Sequence, residues 1–327
     1  MRIVKSLADA KPDRDSILTI GAFDGVHLGH QAVLKQLIAR AKETNRLSGL
    51  VTFQPHPRSV LSSASEPRYL TTLEEKAALV KQIGLDLLAV LPFTTALAAT
   101  PAQEFVSALY INLRMRELLT GPDFALGRNR EGNVSVLREI GKTMGFTVQV
   151  IEPVIEGGQA ISSTYVRSLV ATGQVSEAAR WLGRYYSVTG IVVPGVGRGW
   201  QLGFPTANLA VSQEKLVPLN GVYPVFAEVN GERHDAVANI GVRPTFDNGR
   251  HTIEVHLLDF AGDLHGRIMT VQFVARLRAE MRFERVSDLI AQIQRDCDQA
   301  RQVLRAAVYM PTPVAYRMDA KREAEDG

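Results

Sequence analysis

Cysteine is the scarcest residue in this 327-residue chain: there is one, Cys297. A single thiol excludes an intramolecular disulfide and points to a reducing compartment. No Cys-x-x-Cys or Cys–His spacing surrounds it, so Cys297 is read as a helix residue without chemistry. Long apolar runs are also missing. No window approaches the roughly 18 consecutive apolar residues of a membrane span, and the opening "MRIVKSLADAKPDRD" has no apolar core of a signal peptide. Nor is there an excess of one charge: 37 Lys and Arg against 34 Asp and Glu leave a net charge of +3. The pI of about 9.0 is mildly basic. This does not reach the clustered charge of a nucleic-acid binder and suits anionic small substrates equally well. The expectation is a cytoplasmic protein that engages neither nucleic acid nor membrane. Nothing here sets its oligomeric state.

Hydrophobic residues make up 46% of the chain, and a length of roughly 150 residues per domain suggests two domains. Up to about residue 183, strand-like and helix-like segments alternate. Ile17–Ile20, Ser48–Phe53, "LDLLAVLPF", "RELLTG" and "FTVQVIEPV" read as strands. Between and after them, helices are expected at Gln31–Thr44, in "TTLEEKAALVKQIG" with a Thr72–Glu75 capping box and a Gly84 stop, in "TPAQEFVSALYINL" with Thr100 as N-cap, in "VSVLREIGKTMG" ending at Gly145, and in "ISSTYVRSLVATG" and "VSEAARWLG". This alternation implies a doubly wound parallel sheet. From Tyr186 to about Ala275 helical periodicity vanishes. Short strands broken by Gly and Pro imply a small antiparallel β-barrel, followed by a C-terminal helix from Val286 with Ser287 as N-cap. The expected domains are 1–184 and 185–310, with 311–327 a frayed tail.

"GAFDGVHLGH" (Gly21–His30) stands where the first strand meets the first helix. In open α/β sheets, ligands bind beyond the carboxyl ends of strands. Asp24-Gly25 supplies a tight turn, and Gly29 lets a ligand approach the backbone. The helix start offers free N–H groups and a positive dipole end to a phosphate. His27 and His30, three apart, are expected on one helical face, where they can donate to phosphate oxygens and stabilise charge developing at an α-phosphate. No carboxylate-and-His set has metal-ligand spacing, so zinc is not expected.

"HLGH" resembles the HxGH signature of the nucleotidyltransferase superfamily, and the longer "GAFDGVHLGHQ" is similar to the bacterial FAD synthetases. "TFQPHP" (Thr52–Pro57), "GPDFALGRNREG" (Gly121–Gly132) and "ISSTYVR" (Ile161–Arg167) follow in the same order. The resemblance implies that Gly21, Phe23, Asp24, Gly25 and Gly29 line the nucleotide. Ser162, Ser163 and Thr164, at a helix N-terminus with Arg167 one turn inward, read as a second triphosphate clamp. The resemblance further implies that His56, Pro57, Asp123, Phe124 and Arg128 shape the flavin pocket. At the position of Asp123, family members vary between Asp and Asn.

In the barrel region, "PGVGRG" is a Gly-rich loop able to cradle phosphates, but it lacks the GK[ST] ending of a Walker A loop. Thr206 and Asn208 offer neutral oxygens on one side of an extended segment, suited to Mg²⁺ held mainly through ATP phosphates and water. Glu254 lies on the polar side of the alternating strand "TIEVHLL". "GRGWQLGFPTANL", "PLNGVYPV", "NIGVRPTF" and "EVHLLDF" resemble the riboflavin kinase module of the bifunctional bacterial enzymes, and "DLHG" carries His265 where that family usually shows Tyr. The resemblance implies nucleotide contacts at Gly197, Arg198, Gly203 and Pro205, metal contacts at Thr206 and Asn208, and Glu254 as the base for the riboflavin 5′-hydroxyl. The implied chemistry is phosphorylation of riboflavin to FMN by ATP, then adenylyl transfer from ATP to give FAD, both with Mg²⁺. Two rival readings stay open: one live activity of the two, or a non-catalytic flavin-binding regulator.

Overall fold

The computed structural model describes residues 1–61, 68–156, 158–195, 198–242 and 251–309. Their contacts divide the chain into two compact units. One contains residues 1–61 and 71–162, and the other contains 68–70 with 163–309.

The first unit is built on six parallel strands: β1 (Arg2–Val4), β2 (Ser16–Ile20), β3 (Leu47–Gln54), β4 (Leu87–Pro92), β5 (Met115–Thr120) and β6 (Thr147–Val150). Their order is β1-β4-β3-β2-β5-β6, and every pairing is parallel. Helices α1 (Leu28–Glu43) and α2 (Leu73–Ile83) cover one face, packing Leu34, Leu37, Ala77 and Val80 against Ile17, Leu50 and Leu88. Helices α3 (Ala102–Asn112) and α4 (Val134–Met144) cover the other, packing Phe105, Leu109 and Leu137 against Leu18, Ile20 and Leu118. Both faces of β2 are therefore buried along its whole length, Ser16 and Thr19 included, and each fully buried Leu or Ile contributes about 1.5–3 kcal/mol. The chain runs from β2 outward to β3 and β4, then returns to the opposite side of β2 for β5. The switch point thus falls at the carboxyl end of β2, where Gly21–His30 begins.

Local signals set most boundaries. Thr72 and Glu75 form the expected capping box on α2, and Gly84 and Gly145 close α2 and α4 in the left-handed conformation. Thr100 is not the cap of α3. The helix starts one residue later, its N-cap Pro101 has no side chain to accept with, and the Ala102 N–H donates instead to Glu131 Oε1 at 2.8 Å.

The second unit begins with helices α5 (Ser163–Ala171) and α6 (Val175–Leu182). Six antiparallel strands follow: β7 (Tyr186–Val193), β8 (Ala207–Val211), β9 (Gly221–Val229), β10 (Glu232–Val242), β11 (His251–Leu257) and β12 (Ile268–Phe273). They close as a barrel in the order β7-β8-β11-β10-β9-β12, around fully buried Tyr223 and Phe273, whose rings meet edge-on. Ser176 of α6 donates to the Val274 carbonyl at 2.8 Å. Helix α7 (Val286–Ala306) lays Cys297 and Ala300 on Val222, Val237 and Leu258. Its N-cap is Arg285, without a side-chain cap bond, and Ser287 points its hydroxyl at Asp288 instead. Burial pushes the Cys297 thiol up to about 11, which fits a packing role.

Residues 68–70 complete this unit. Tyr69 forms a parallel bridge with Lys215, giving its N–H to Glu214 O (2.6 Å) and taking that of Leu216 (2.8 Å). The buried Lys215 ammonium donates to Leu70 O at 2.7 Å and lies 4.8 Å from the centroid of the Tyr186 ring. No helix among the described residues is long and apolar enough to cross a membrane.

Candidate active sites

At the carboxyl end of β2 the chain enters a turn in which Phe23, Gly25 and Val26 all have positive φ (48°, 80° and 40°). It then starts α1. His27 is not on the helical face beside His30. It is the N-cap of α1, extended, with Nδ1 accepting the His30 N–H at 3.3 Å. The cap bond fixes Nδ1 as acceptor, so neutral His27 carries its proton on Nε2. The two imidazoles still meet: their ring centroids lie 3.6 Å apart with an interplanar angle of 16°. Phe23 stacks on the other side of His30 at 4.5 Å. Gly29 serves this stack, since a Cβ there would sit 3.2 Å from His27 Nδ1 and 3.5 Å from Ile161 Cβ. At Gly21, a Cβ would press on the Phe23 ring at 3.1 Å.

Asp24 is buried at 3% exposure. Its Oδ1 accepts the Thr71 N–H at 3.1 Å and the Thr71 hydroxyl at 3.3 Å, while the Gly25 N–H donates to that hydroxyl at 3.1 Å. Asp24 thus braces the turn from behind. The contact between Gly29 and Ile161 brings the start of "ISSTYVR" to this turn. Helix α5 then begins at Ser163, and Arg167 Nη2 donates to Thr164 Oγ1 at 3.2 Å.

Two further loops leave neighbouring strand ends. After β3, His56 Nδ1 accepts the Arg58 N–H at 3.1 Å, and Pro57 opens a short helix, Pro57–Leu61. After β5, Phe124 packs on the core, while Asp123 and Arg128 are exposed. Arg130 holds this loop through the Asp123 carbonyl at 3.0 Å. Gly127, with φ 76°, lets it pass against the backbone of Ala102.

The barrel carries a separate constellation. Ile253, Val255 and Leu257 face inward, buried, so Glu254 and His256 stand on the outer face. In register, Glu254 lies directly opposite Asn208 on β8 and Asn239 on β10. Gly195 and Gly199 lie close to these residues: a Cβ on Gly195 would overlap the Asn208 amide, and one on Gly199 would overlap the Phe204 carbonyl and approach Thr206 Oγ1. His256 Nδ1 bonds the Pro205 carbonyl at 2.8 Å, and its ring meets Phe204 edge-on at 5.6 Å. Gly203 (φ 85°) and Pro205 are exposed. Gly197 lies outside the described residues, as does the side chain of Arg198. His265 and Asp263 form an exposed pair at 2.8 Å.

Among the described residues there is no group of three His, Cys, Asp or Glu side chains that could hold a metal on its own. The donors present, a Thr hydroxyl, an Asn amide oxygen and one carboxylate beneath a glycine cradle, fit a Mg²⁺ ion bound chiefly through nucleotide phosphates and water.

The FAD synthetase family matches residues 9–165 and the riboflavin kinase family residues 182–304. A bifunctional riboflavin kinase/FMN adenylyltransferase of Pseudomonas fluorescens is 40% identical over 304 residues, 92% of this chain and 97% of that protein. The chain belongs to the bifunctional riboflavin kinase/FMN adenylyltransferase family. Members from Escherichia coli K12 (38% over 304 residues, 92% and 96% of the two chains) and Bacillus subtilis 168 (36% over 290 residues, 87% and 91%) are similar over nearly the same span. A crystal structure described as a macrolide-efflux protein from Streptococcus pneumoniae superposes with a TM-score of 0.85 at 28% identity, covering 92% of this chain and 98% of that one.

Residues 9–165 contain the constellation at the end of β2 apart from Arg167, and residues 182–304 contain that of the barrel. Sequence reading missed several of their connections: Thr71 and Glu131 as braces, Asn239 opposite Glu254, and the bond from His256 to the Pro205 carbonyl. Asn239 had a local signal, a lone polar side chain between buried Ala238 and Ile240 in "AVANIG".

Proposed function

We propose that the barrel phosphorylates riboflavin with ATP and that the turn at the end of β2 then adenylylates the FMN formed. The register pair Asn208–Glu254, with Gly195 against Asn208 and Gly199 close to Thr206, carries the first assignment. The riboflavin 5′-hydroxyl oxygen attacks the γ-phosphorus, the bond to ADP breaks, and Glu254 takes the hydroxyl proton. Thr206 and Asn208 would hold Mg²⁺, which when bound neutralises phosphate charge. Gly203 and Pro205 set the path of the loop against the nucleotide, with Gly197 and Arg198 completing it.

In the second reaction a phosphate oxygen of FMN attacks the α-phosphorus of a second ATP, and the bond to pyrophosphate breaks. His27 and His30 donate to the phosphate oxygens as charge develops. Backbone N–H groups at the start of α1, the hydroxyls of Ser162, Ser163 and Thr164, and Arg167 hold the triphosphate. Gly21, Phe23, Asp24, Gly25 and Gly29 shape that bed. His56, Pro57, Asp123, Phe124 and Arg128 receive the flavin. The chemistry divides near residues 184/185 and takes place in the cytoplasm, as the single cysteine suggests.

Incubation with riboflavin, ATP and MgCl₂ followed by flavin chromatography tests the reading. FMN appearing first and FAD after it is the expected course. FMN alone would remove the adenylyl assignment, and unchanged riboflavin would favour a flavin-binding regulator.

A further inference from the structure

Behind the turn at the end of β2 lies a charged side chain that the two reactions above do not use. Lys76, in the first turn of α2, is 8% exposed. Among the described residues, its ammonium makes one hydrogen bond, a long one of 3.4 Å to Thr52 Oγ1 at the end of β3. Thr52 passes the connection on, donating to the Ala22 carbonyl at 3.3 Å. The ammonium is also attracted by the Asp24 carboxylate, which itself grips Thr71. Lys76 therefore reaches both ends of the stretch Ala22–Asp24, where the backbone leaves β2 and takes up its run of positive φ angles.

Such a placement is unfavourable by itself. Among the described residues the ammonium gains one long hydrogen bond, and burial lowers the pKa of Lys76 from 10.5 to about 8 even though Asp24 works against it. Asp24 does not need the lysine for satisfaction, because Thr71 gives it two hydrogen bonds. A buried, poorly solvated charge adjoining a strained turn is the signature of a functional site rather than of a stabilising pair.

We propose that Lys76 is a positioning residue for adenylyl transfer, its ammonium holding the Ala22–Val26 turn, through Thr52 and Asp24, in the shape that receives ATP. This rests on the assignment of the adenylyl site to that turn. The charged group acting on Lys76 among the described residues is Asp24, from the turn. The carboxylate beside it in sequence, Glu75, is engaged by the Thr72 N–H.

The test measures initial rates of FMN adenylylation and riboflavin phosphorylation by the full chain between about pH 6 and about pH 10. In Lys76→Met, kcat/KM for adenylylation should fall by about tenfold to a hundredfold at neutral pH, with riboflavin phosphorylation within about twofold and the melting temperature unchanged or raised. The wild type should show adenylylation declining above about pH 8, a limb absent from Lys76→Met. Asp24→Asn should move that limb to lower pH, since the carboxylate holds the proton on Lys76. A folded Lys76→Met with adenylylation within about twofold of wild type overturns the proposal. If Lys76→Met does not fold by circular dichroism, the wild-type profile decides: a limb displaced by Asp24→Asn supports the proposal, and a flat profile or an unmoved limb overturns it. His30→Ala tests the underlying site separately, because full adenylylation by that variant would remove the site assignment whatever Lys76 does.

Discussion

His256 Nδ1 lies 2.8 Å from the carbonyl oxygen of Pro205, so a side chain on the Glu254 strand fixes the peptide that leads into Thr206. The carbonyl can only accept, so Nδ1 carries the proton and the bond survives whether or not the second ring nitrogen is protonated. Replacing His256 with Leu removes one hydrogen bond of about 1 kcal/mol. The expected result is a KM for ATP in riboflavin phosphorylation raised by roughly fivefold to tenfold, with kcat changed less. FMN adenylylation by the same preparation should be unaltered, and equal loss in both assays would show damage to the fold instead.

Glu254→Gln keeps the shape of the side chain between Asn208 and Asn239 and removes its ability to take a proton. Riboflavin phosphorylation should fall by about 10²–10⁴-fold while FMN supplied directly is still converted to FAD. Survival of phosphorylation in the variant would refute Glu254 as the base.

His30→Ala removes the middle ring of the Phe23–His30–His27 stack. Loss of a donor to developing phosphate charge is worth about 10²–10³ in rate, so adenylylation should drop by that order with riboflavin phosphorylation intact. A parallel fall in both rates would contradict separate sites.

Lys76 makes a stability prediction opposite in sign to its proposed functional effect. Its proton affinity is 10.5 when exposed and about 8 in the folded chain. Below about 8 both states hold the proton, and the burial penalty is present in full, about 3 kcal/mol at most. Between about 8 and 10.5 the unfolded chain binds more protons, so this group makes stability rise with pH. Urea unfolding of Lys76→Met should therefore show a gain at pH near 7 that shrinks towards pH near 10. A loss at both would show that Lys76 stabilises the fold.

The alternation of strands and helices was legible because burial imposes periodicity locally: both faces of β2 are covered, and Ile17, Leu18 and Ile20 dominate it. The capping box at Thr72–Glu75 and the glycines at 84 and 145 were legible for the same reason, since each acts on its own helix end. What stayed hidden depends on residues distant in the chain. The cap of α3 comes from Glu131, 29 positions away, so a better local candidate, Thr100, went unused. β1 is three residues long and exists because β4 offers it an edge. His27 and His30 were recognisable as a pair, but their stacking depends on His27 leaving the helix to become its cap. Asn239 joins Glu254 only once the barrel register is closed, whereas His256, two residues along the same strand, shares its face by alternation. Lys76 carries no local sign of its burial, which arises only when α2 packs onto the rest of the unit.

The bridge between Tyr69 and Lys215 has a genetic consequence. The kinase barrel is not encoded by one continuous stretch, for it borrows three residues from a point about a hundred codons before its own first helix. A gene cut between residues 70 and 163 would release a barrel whose Lys215 ammonium has lost its hydrogen bond to the Leu70 carbonyl. A barrel expressed from its own first helix onward would therefore start without a strand bridge and a lysine hydrogen bond that the full chain supplies.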